Sequence, residues 1–292
     1  MHQDIRHIVI AYSAIIITGT LALSALPYTP LWNALLADLI ATAVIFGFSR
    51  FFKNSSFYDA YWSLVPPLIM LYWMVTGPNL GEPRVWLVFA LVTFWSVRLT
   101  WNWASHWQGL GHEDWRYIDL RAKVGPAFAP WLDFLGIHLL PTLQVFIALL
   151  PIYVITQVSC APLNGWDIIA AFVTFAAVIV ELIADRQLHR FLALGKPGNI
   201  MNSGLWAWSR HPNYFGELSF WYGLMLFALA ASPEHYLLAI PGALLMTAMF
   251  IFISIPMMDQ RSVESRPGYR EHMQHVPALI PWPRLKPAQP KH

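Results

Sequence analysis

Charge is what this chain has least of: Asp, Glu, Lys and Arg make up 12% of its 292 residues, against about 25% in a soluble globular chain. No block of five like charges forms, and a net charge of +2 is too mild to point to a nucleic-acid partner. Cysteine is nearly absent. The single Cys160 excludes an internal disulfide and any Cys-based zinc or iron–sulfur site. The eleven histidines lack the repeated H-x-x-x-H or H-x-x-H-H clusters of a membrane di-iron oxygenase, and His272 and His275 read as solvated tail residues, so no metal is expected. Without a G-x-G-x-x-G after a strand or a P-loop, Rossmann and Walker nucleotide sites are excluded as well. No internal repeat and no low-complexity tract appears, which leaves a single integral membrane domain over residues 1–292 as the simplest organisation.

What is abundant is apolar sequence. Hydrophobic residues make up 57% of the chain and the mean hydropathy is +0.48. Crossing about 30 Å of hydrocarbon takes roughly 20 apolar residues in a helix. Eight runs approach that length: Ile5 to Leu26, Leu31 to Phe52, Tyr58 to Thr76, Arg84 to Ser105, Leu132 to Gln157, Trp166 to Leu192, Asn213 to Ala231 and Tyr236 to Met257, the third and seventh being short. Pro27, Pro30, Gly77, Pro78, Pro162, Gly165, Ser232 and Pro233 punctuate their ends, where helix breakers belong. The expected fold is an all-α, polytopic transmembrane helix bundle of about 7–8 spans. The first run is read as a retained span and not a signal peptide, since it is long and only Arg6 precedes it. Trp101, Trp103, Trp107, Trp131, Trp166 and Trp282 stand near span ends and read as an aromatic belt.

The few charges are informative by position. With both termini inside, Arg6, Arg50, Lys53, Arg116, Arg121, Lys123, Arg186, Arg190, Lys196, Arg210 and the basic tail all fall on the cytoplasmic side, and Arg84 alone falls outside. Polar residues inside spans are costly and are functional candidates by default. Arg98 lies fourteen residues after Arg84, about 21 Å along a helix at 1.5 Å per residue, in the cytoplasmic half. Glu181, Asp185 and His189 form an i, i+4, i+8 stripe; Asn213 and Glu217 repeat the spacing; Tyr58 and Asp59 open the third run. Singly, each of these fits an interfacial residue snorkelling to headgroups; their convergence at one depth favours a site. Asp38, nearer mid-span, is read as structural. Carboxylates suit ribose hydroxyls and arginine forks suit phosphate, so the layer describes a nucleotide cofactor site beside a lipid-accessible chamber.

Certain stretches carry a resemblance. "GLWAWSRHPNYFGE" and "DQRSVESRPGYREHMQHVPALIPW", with "ELIADRQLHRF" before them, resemble the C-terminal region of membrane steroid 5-alpha-reductases, sterol C=C reductases and isoprenylcysteine carboxyl methyltransferases. "EDWRYIDLR" and "YDAYWS" look like the bacterial branch of the steroid 5-alpha-reductase-like proteins. The resemblance implies a helical membrane reductase in which NADPH, held in the cytoplasmic half by residues 165–284, reduces a carbon–carbon double bond of a lipid. Carried over residue by residue, it implies cofactor binding by Asp185, Gln187, Arg210, His211, Asn213, Tyr214, Glu217, Asp259 and Tyr269. This sequence has Glu181 where the steroid reductases have Asn, and Leu188 where the sterol reductases have Lys after the Gln. Phosphate contacts then fall to His189, Arg190 or Arg261, and Arg98 and Glu181 complete the cofactor set.

The turn at Arg210 has a physical reading of its own. Pro212 favours a helix start directly after His211, so free N–H groups and the positive end of the helix dipole are expected to meet an anionic cofactor there. Gly216 is expected to let the cofactor or a neighbouring helix approach closely. For chemistry, conjugate reduction of an enone needs a donor that polarises the carbonyl, and Tyr58 and Asp59 are the candidates. Two other functions fit the same residues: an S-adenosylmethionine-dependent lipid methyltransferase, and a non-enzymatic lipid binder. The expected location is a bacterial inner membrane.

Overall fold

The computed structural model describes residues 2–158, 161–195 and 198–283. Cys160, Lys196 and the basic tail residues Arg284, Lys286 and Lys291 lie outside the described residues. Contacts divide the chain into two compact units, Met1–Pro162 and Leu163–His292.

The first unit begins with α1 (His2–Ala25) packed on α2 (Pro30–Phe52). Pro30 occupies the first turn of α2, where a missing N–H is harmless, and Lys53 in the left-handed conformation ends it. A 3-10 turn (Ser55–Tyr58) leads into α3 (Tyr61–Thr76), which packs on α4 (Pro83–His106). Then come α5 (Trp115–Val124), the short α6 (Ala129–Trp131), a π-helical stretch (Leu132–Leu139), α7 (Leu140–Ala148) and α8 (Leu150–Gln157). Arg84, the one basic residue expected outside, is buried, and its guanidinium donates to the carbonyls of Ala161 (2.6 Å) and Pro162 (3.1 Å).

The second unit holds α9 (Gly165–Ala193), a 3-10 turn (Gly204–Ala207), α10 (Pro212–Ala231), α11 (Tyr236–Met249), a π-helical stretch (Phe250–Ser254), α12 (Ile255–Ser265) and α13 (Tyr269–His275). A capping box starts α9: the Asn164 side chain accepts from Trp166 N–H (3.0 Å) and Asp167 accepts from Asn164 N–H (2.8 Å). Helices α9 and α10 meet through small residues. A Cβ on Gly216 would lie 2.5 Å from Glu181 Cγ, and one on Gly223 2.1 Å from Thr174 Oγ1. The two glycines stand two turns apart on one face of α10, the arrangement that lets membrane helices pack backbone to backbone.

The protein is an all-α, polytopic membrane protein. Among the described residues, seven helices are long and apolar enough to cross a membrane, and their outer faces carry residues such as Val9, Leu21, Phe172 and Phe252. Seven of the eight expected runs are represented among them. The third is not: Tyr58 sits in the 3-10 turn, and α3 has only 16 residues, about 24 Å of helix against about 30 Å of hydrocarbon. The fifth run is a broken one, interrupted by the π-helical stretch and again at Leu149.

Candidate functional site

Arg210 arrives at the start of α10 from the 3-10 turn before it, and its donors are engaged within the fold. Nε and Nη2 form a fork on Asp259 of α12 (3.2 and 2.7 Å), while Nη1 donates to the carbonyls of Met273 (3.2 Å) and Val276 (2.6 Å). His211 Nε2 and the Tyr269 hydroxyl reach the same Asp259 oxygen, each at 3.0 Å. The backbone joins in: Arg210 N–H donates to Pro277 O, His211 N–H to Ala278 O and Trp282 N–H to Trp208 O. The R-H-P turn is thus a clamp that fastens the segment after α13. Burial, and then the charge of Asp259, push the Tyr269 phenol up to about 12, so it remains a donor to that carboxylate.

This geometry corrects the expected anion cradle. Helix α10 does start at Pro212, with His211 as its N-cap residue, but Pro212 has no N–H and the Tyr214 N–H is capped by Asn213 Oδ1 at 3.1 Å. Four of the five N–H donors of Arg210 are committed. At this turn the charge that Arg210 was expected to offer an anionic cofactor goes to tail fastening. Gly216 serves its neighbouring helix, since the space a side chain would need is filled by Glu181 and the Ala177 carbonyl.

Beside the clamp, the α9 stripe faces α10. Asp185 accepts from Asn213 Nδ2 at 3.4 Å; Glu181 and Glu217 are both buried, and Glu217 accepts from Trp221 Nε1 at 2.8 Å. Three carboxylates and an amide therefore line one helix seam. Gln187 receives the Leu205 N–H (2.9 Å) and fills the space beside Gly204, so its work is to hold the 3-10 turn. Tyr214 stacks on His211 with ring centroids 5.2 Å apart. Arg190 and Arg261 are exposed.

The other candidates belong to the first unit. Arg98 is buried in α4. Tyr58 and Asp59, adjacent in sequence, part company. Tyr58 turns inward: its hydroxyl is 2.8 Å from Thr142 Oγ1 and its ring stacks on Tyr61. Asp59 instead accepts from the Tyr117 hydroxyl of α5 at 2.6 Å. Burial raises the Asp59 carboxyl to about 6, against the lowering effect of Tyr117 and Arg116, and burial likewise holds the Tyr58 phenol far above its ordinary range.

Tyr58 is one member of a network that sequence reading did not assemble. Tyr61 O–H donates to Asp38 Oδ1 (2.6 Å) and Thr42 donates to Tyr61 (3.3 Å). Thr42 also meets Thr142 (2.9 Å), Thr142 donates to the His138 carbonyl (2.9 Å), and His138 Nε2 pairs with Ser49 Oγ (2.9 Å). Asp38, Tyr58, Tyr61 and Thr142 wall a cavity of about 10 Å³, closed on its apolar side by residues including Trp62 and Leu149. The signal was present: an acid in mid-span is costly unless a partner neutralises or bonds it, and Asp38 was such a residue. Among the described residues, no three His, Cys, Asp or Glu side chains gather as metal ligands would.

A family model described as "Protein of unknown function (DUF1295)" matches residues 45–276, from the middle of α2 to the Val276 carbonyl that Arg210 holds. The chain belongs to that family. The match takes in Tyr58, Tyr61, His138 and Thr142 of the network and Arg210, His211, Asp259 and Tyr269 of the clamp, while Asp38 and Thr42 lie just before it and Pro277, Ala278 and Trp282 just after it. An uncharacterized protein of Schizosaccharomyces pombe, C594.04c, is 26% identical over 294 residues, covering 91% of this chain and 85% of that one. No solved structure matches.

Proposed function

We propose that this DUF1295 protein is a membrane-embedded reductase that uses NADPH to reduce an enone-type carbon–carbon double bond in a steroid-like or other lipid, from the steroid 5-alpha-reductase-like group its motifs resemble. The observation that carries the reading is the buried phenol and carboxyl set, Tyr58, Tyr61 and Asp38, walling a cavity in the first unit. Conjugate reduction needs a neutral donor aimed at a carbonyl, because enolate charge builds there in the transition state. Methyl transfer needs alignment of donor and nucleophile, and a non-enzymatic binder needs no acid at all.

The reading assigns nucleotide binding to Asp185, Asn213 and Glu217 and carbonyl polarisation to Tyr58. Asp185 and Glu217 suit ribose hydroxyls as acceptors, Asn213 suits an amide or ring nitrogen, and the exposed Arg190 and Arg261 suit phosphates. Bound NADPH supplies a hydride for the β-carbon of the alkene. Tyr58, kept protonated by burial, exchanges its Thr142 acceptor for the substrate carbonyl and stabilises the developing oxyanion; a proton from water then goes to the α-carbon as the enolate collapses back to the carbonyl. Tyr61, held on Asp38, fixes the Tyr58 ring by stacking. We further propose cytoplasmic termini and a bacterial inner membrane, from the distribution of Lys and Arg.

One observation favours a second reading. Arg210, at the start of α10, is locked to Asp259, and a seam of carboxylates without that arginine also suits S-adenosylmethionine, which carries no phosphate. Incubating purified protein with NADPH and a panel of lipid enones, and following loss of reduced nicotinamide, separates the two. Enone-dependent oxidation that disappears in Tyr58→Phe supports the reductase; methyl transfer to a lipid acceptor with no NADPH oxidation overturns it.

A further inference from the structure

The cavity walled by Asp38, Tyr58 and Tyr61 has a volume of about 10 Å³, room for about one water molecule, whereas sites for small organic ligands span several hundred Å³. A lipid reaches Tyr58 only if part of the first unit moves. One segment is built to do so. Residues 109–125 run between two glycines with positive φ, Gly109 (+92°) and Gly125 (+78°), and none of the ten residues of α5 within them is buried. Apolar packing is what makes a segment hard to open, and in α5 it is limited to half-buried side chains such as Trp115 and Leu120.

Leu110 packs on the apolar cluster that includes Phe57 and Tyr58; beyond it, what holds this strap is polar and lies over the 3-10 turn that carries Tyr58. Ser55 N–H donates to Glu113 (2.6 Å), Asp114 N–H to Ser56 Oγ (2.9 Å), and Asn54 Nδ2 to the carbonyls of Leu110 (2.9 Å) and His112 (3.0 Å). The Tyr117 hydroxyl donates to Asp59. Arg121 is the tie point: it forks onto Glu113, donates to Asp133 through Nε at 2.8 Å, and shares Asp133 with Arg50 (3.3 Å). Such a set opens at modest cost, since each bond can be exchanged for one to water at the membrane surface.

We propose that residues 109–125 form a hinged lid, latched by Arg121 through Glu113 and Asp133, whose opening releases the Ser55–Tyr58 turn and admits an apolar substrate to the cavity. The proposal rests on the reading that this cavity serves the reaction, but its test involves neither nucleotide nor turnover. In a Cys160→Ser background, Ser56→Cys places a thiol at a buried position under the lid. Its labelling by a maleimide is expected to be slow, and at least 10-fold faster when Arg121→Ala is added, while Lys123→Ala, which removes only an exposed pair with Asp119, leaves the rate unchanged. Hydrogen exchange on the unsubstituted protein gives a second readout that survives any folding defect of the variants: amides of residues 113–124 are expected to exchange well ahead of those in α2 and α3. Equal labelling with and without Arg121, or protection of the strap equal to that of α2, would overturn the lid.

Discussion

The two units solve one problem in different ways. Each buries carboxylates among apolar helices, where a bare charge is costly. The second unit neutralises Asp259 with Arg210 and adds His211 and Tyr269 until its acceptor capacity is full. The first surrounds Asp38 with hydroxyls and no described arginine or lysine, passing hydrogen bonds through Tyr61, Thr42, Thr142 and Tyr58. An ion-paired knot of the first kind is stiff and suits assembly. A chain of neutral donors and acceptors keeps exchangeable protons at a cavity wall, and that suits chemistry.

The contrast can be broken most forcefully at Asp259. Asp259→Ala leaves Arg210 buried without its counter-charge and is expected to cost about 3–5 kcal/mol of stability, visible as a large fall in melting temperature in detergent. If the variant melts like the parent, Asp259 is not the centre of a clamp. In the first unit the same kind of deletion should act on rate and not on folding. Tyr58→Phe is expected to lower turnover about 10²- to 10³-fold, the usual loss on removing one oxyanion donor, with nucleotide affinity and melting temperature nearly unchanged. A parallel fall in stability would place Tyr58 with the packing groups instead. Between these lies Gly216→Val, which pushes a side chain into Glu181 and the Ala177 carbonyl. Overpacking of this kind costs about 1–3 kcal/mol, and circular dichroism melts would show it.

A further expected effect is one of pH. Burial raises the Asp59 carboxyl to about 6 in the folded protein, against about 3.9 in an unfolded chain. Between those values the folded state binds the extra proton, so stability falls as pH rises from about 4 to about 6 and is flat above that. Asp59→Asn should flatten this part of the profile; an unchanged slope would assign it to another group.

Much of this fold was legible because the membrane leaves few alternatives. Long apolar runs bounded by Pro and Gly became helices within a few residues of their expected ends, as at Pro30, Pro83 and Pro212. The Glu181 and Asp185 stripe met Asn213 and Gly216 because i, i+4 spacing defines a face. Partners distant in sequence were the illegible part. Nothing in the R-H-P turn reveals that Asp259, 49 residues on, will take two of the donors of Arg210, so a clamp read as an anion cradle. Likewise, Tyr58 and Asp59 looked like one unit in sequence, and only the turn geometry sends one to the cavity and the other to α5.

The central claim is that the α9–α10 seam binds NADPH, and thermal unfolding of the detergent-purified protein with NADPH, NADH or S-adenosylmethionine tests it most directly, since a ligand that binds only the folded state raises its melting temperature. The account predicts a rise with NADPH that is lost in Asp185→Ala. A rise with S-adenosylmethionine alone would contradict it.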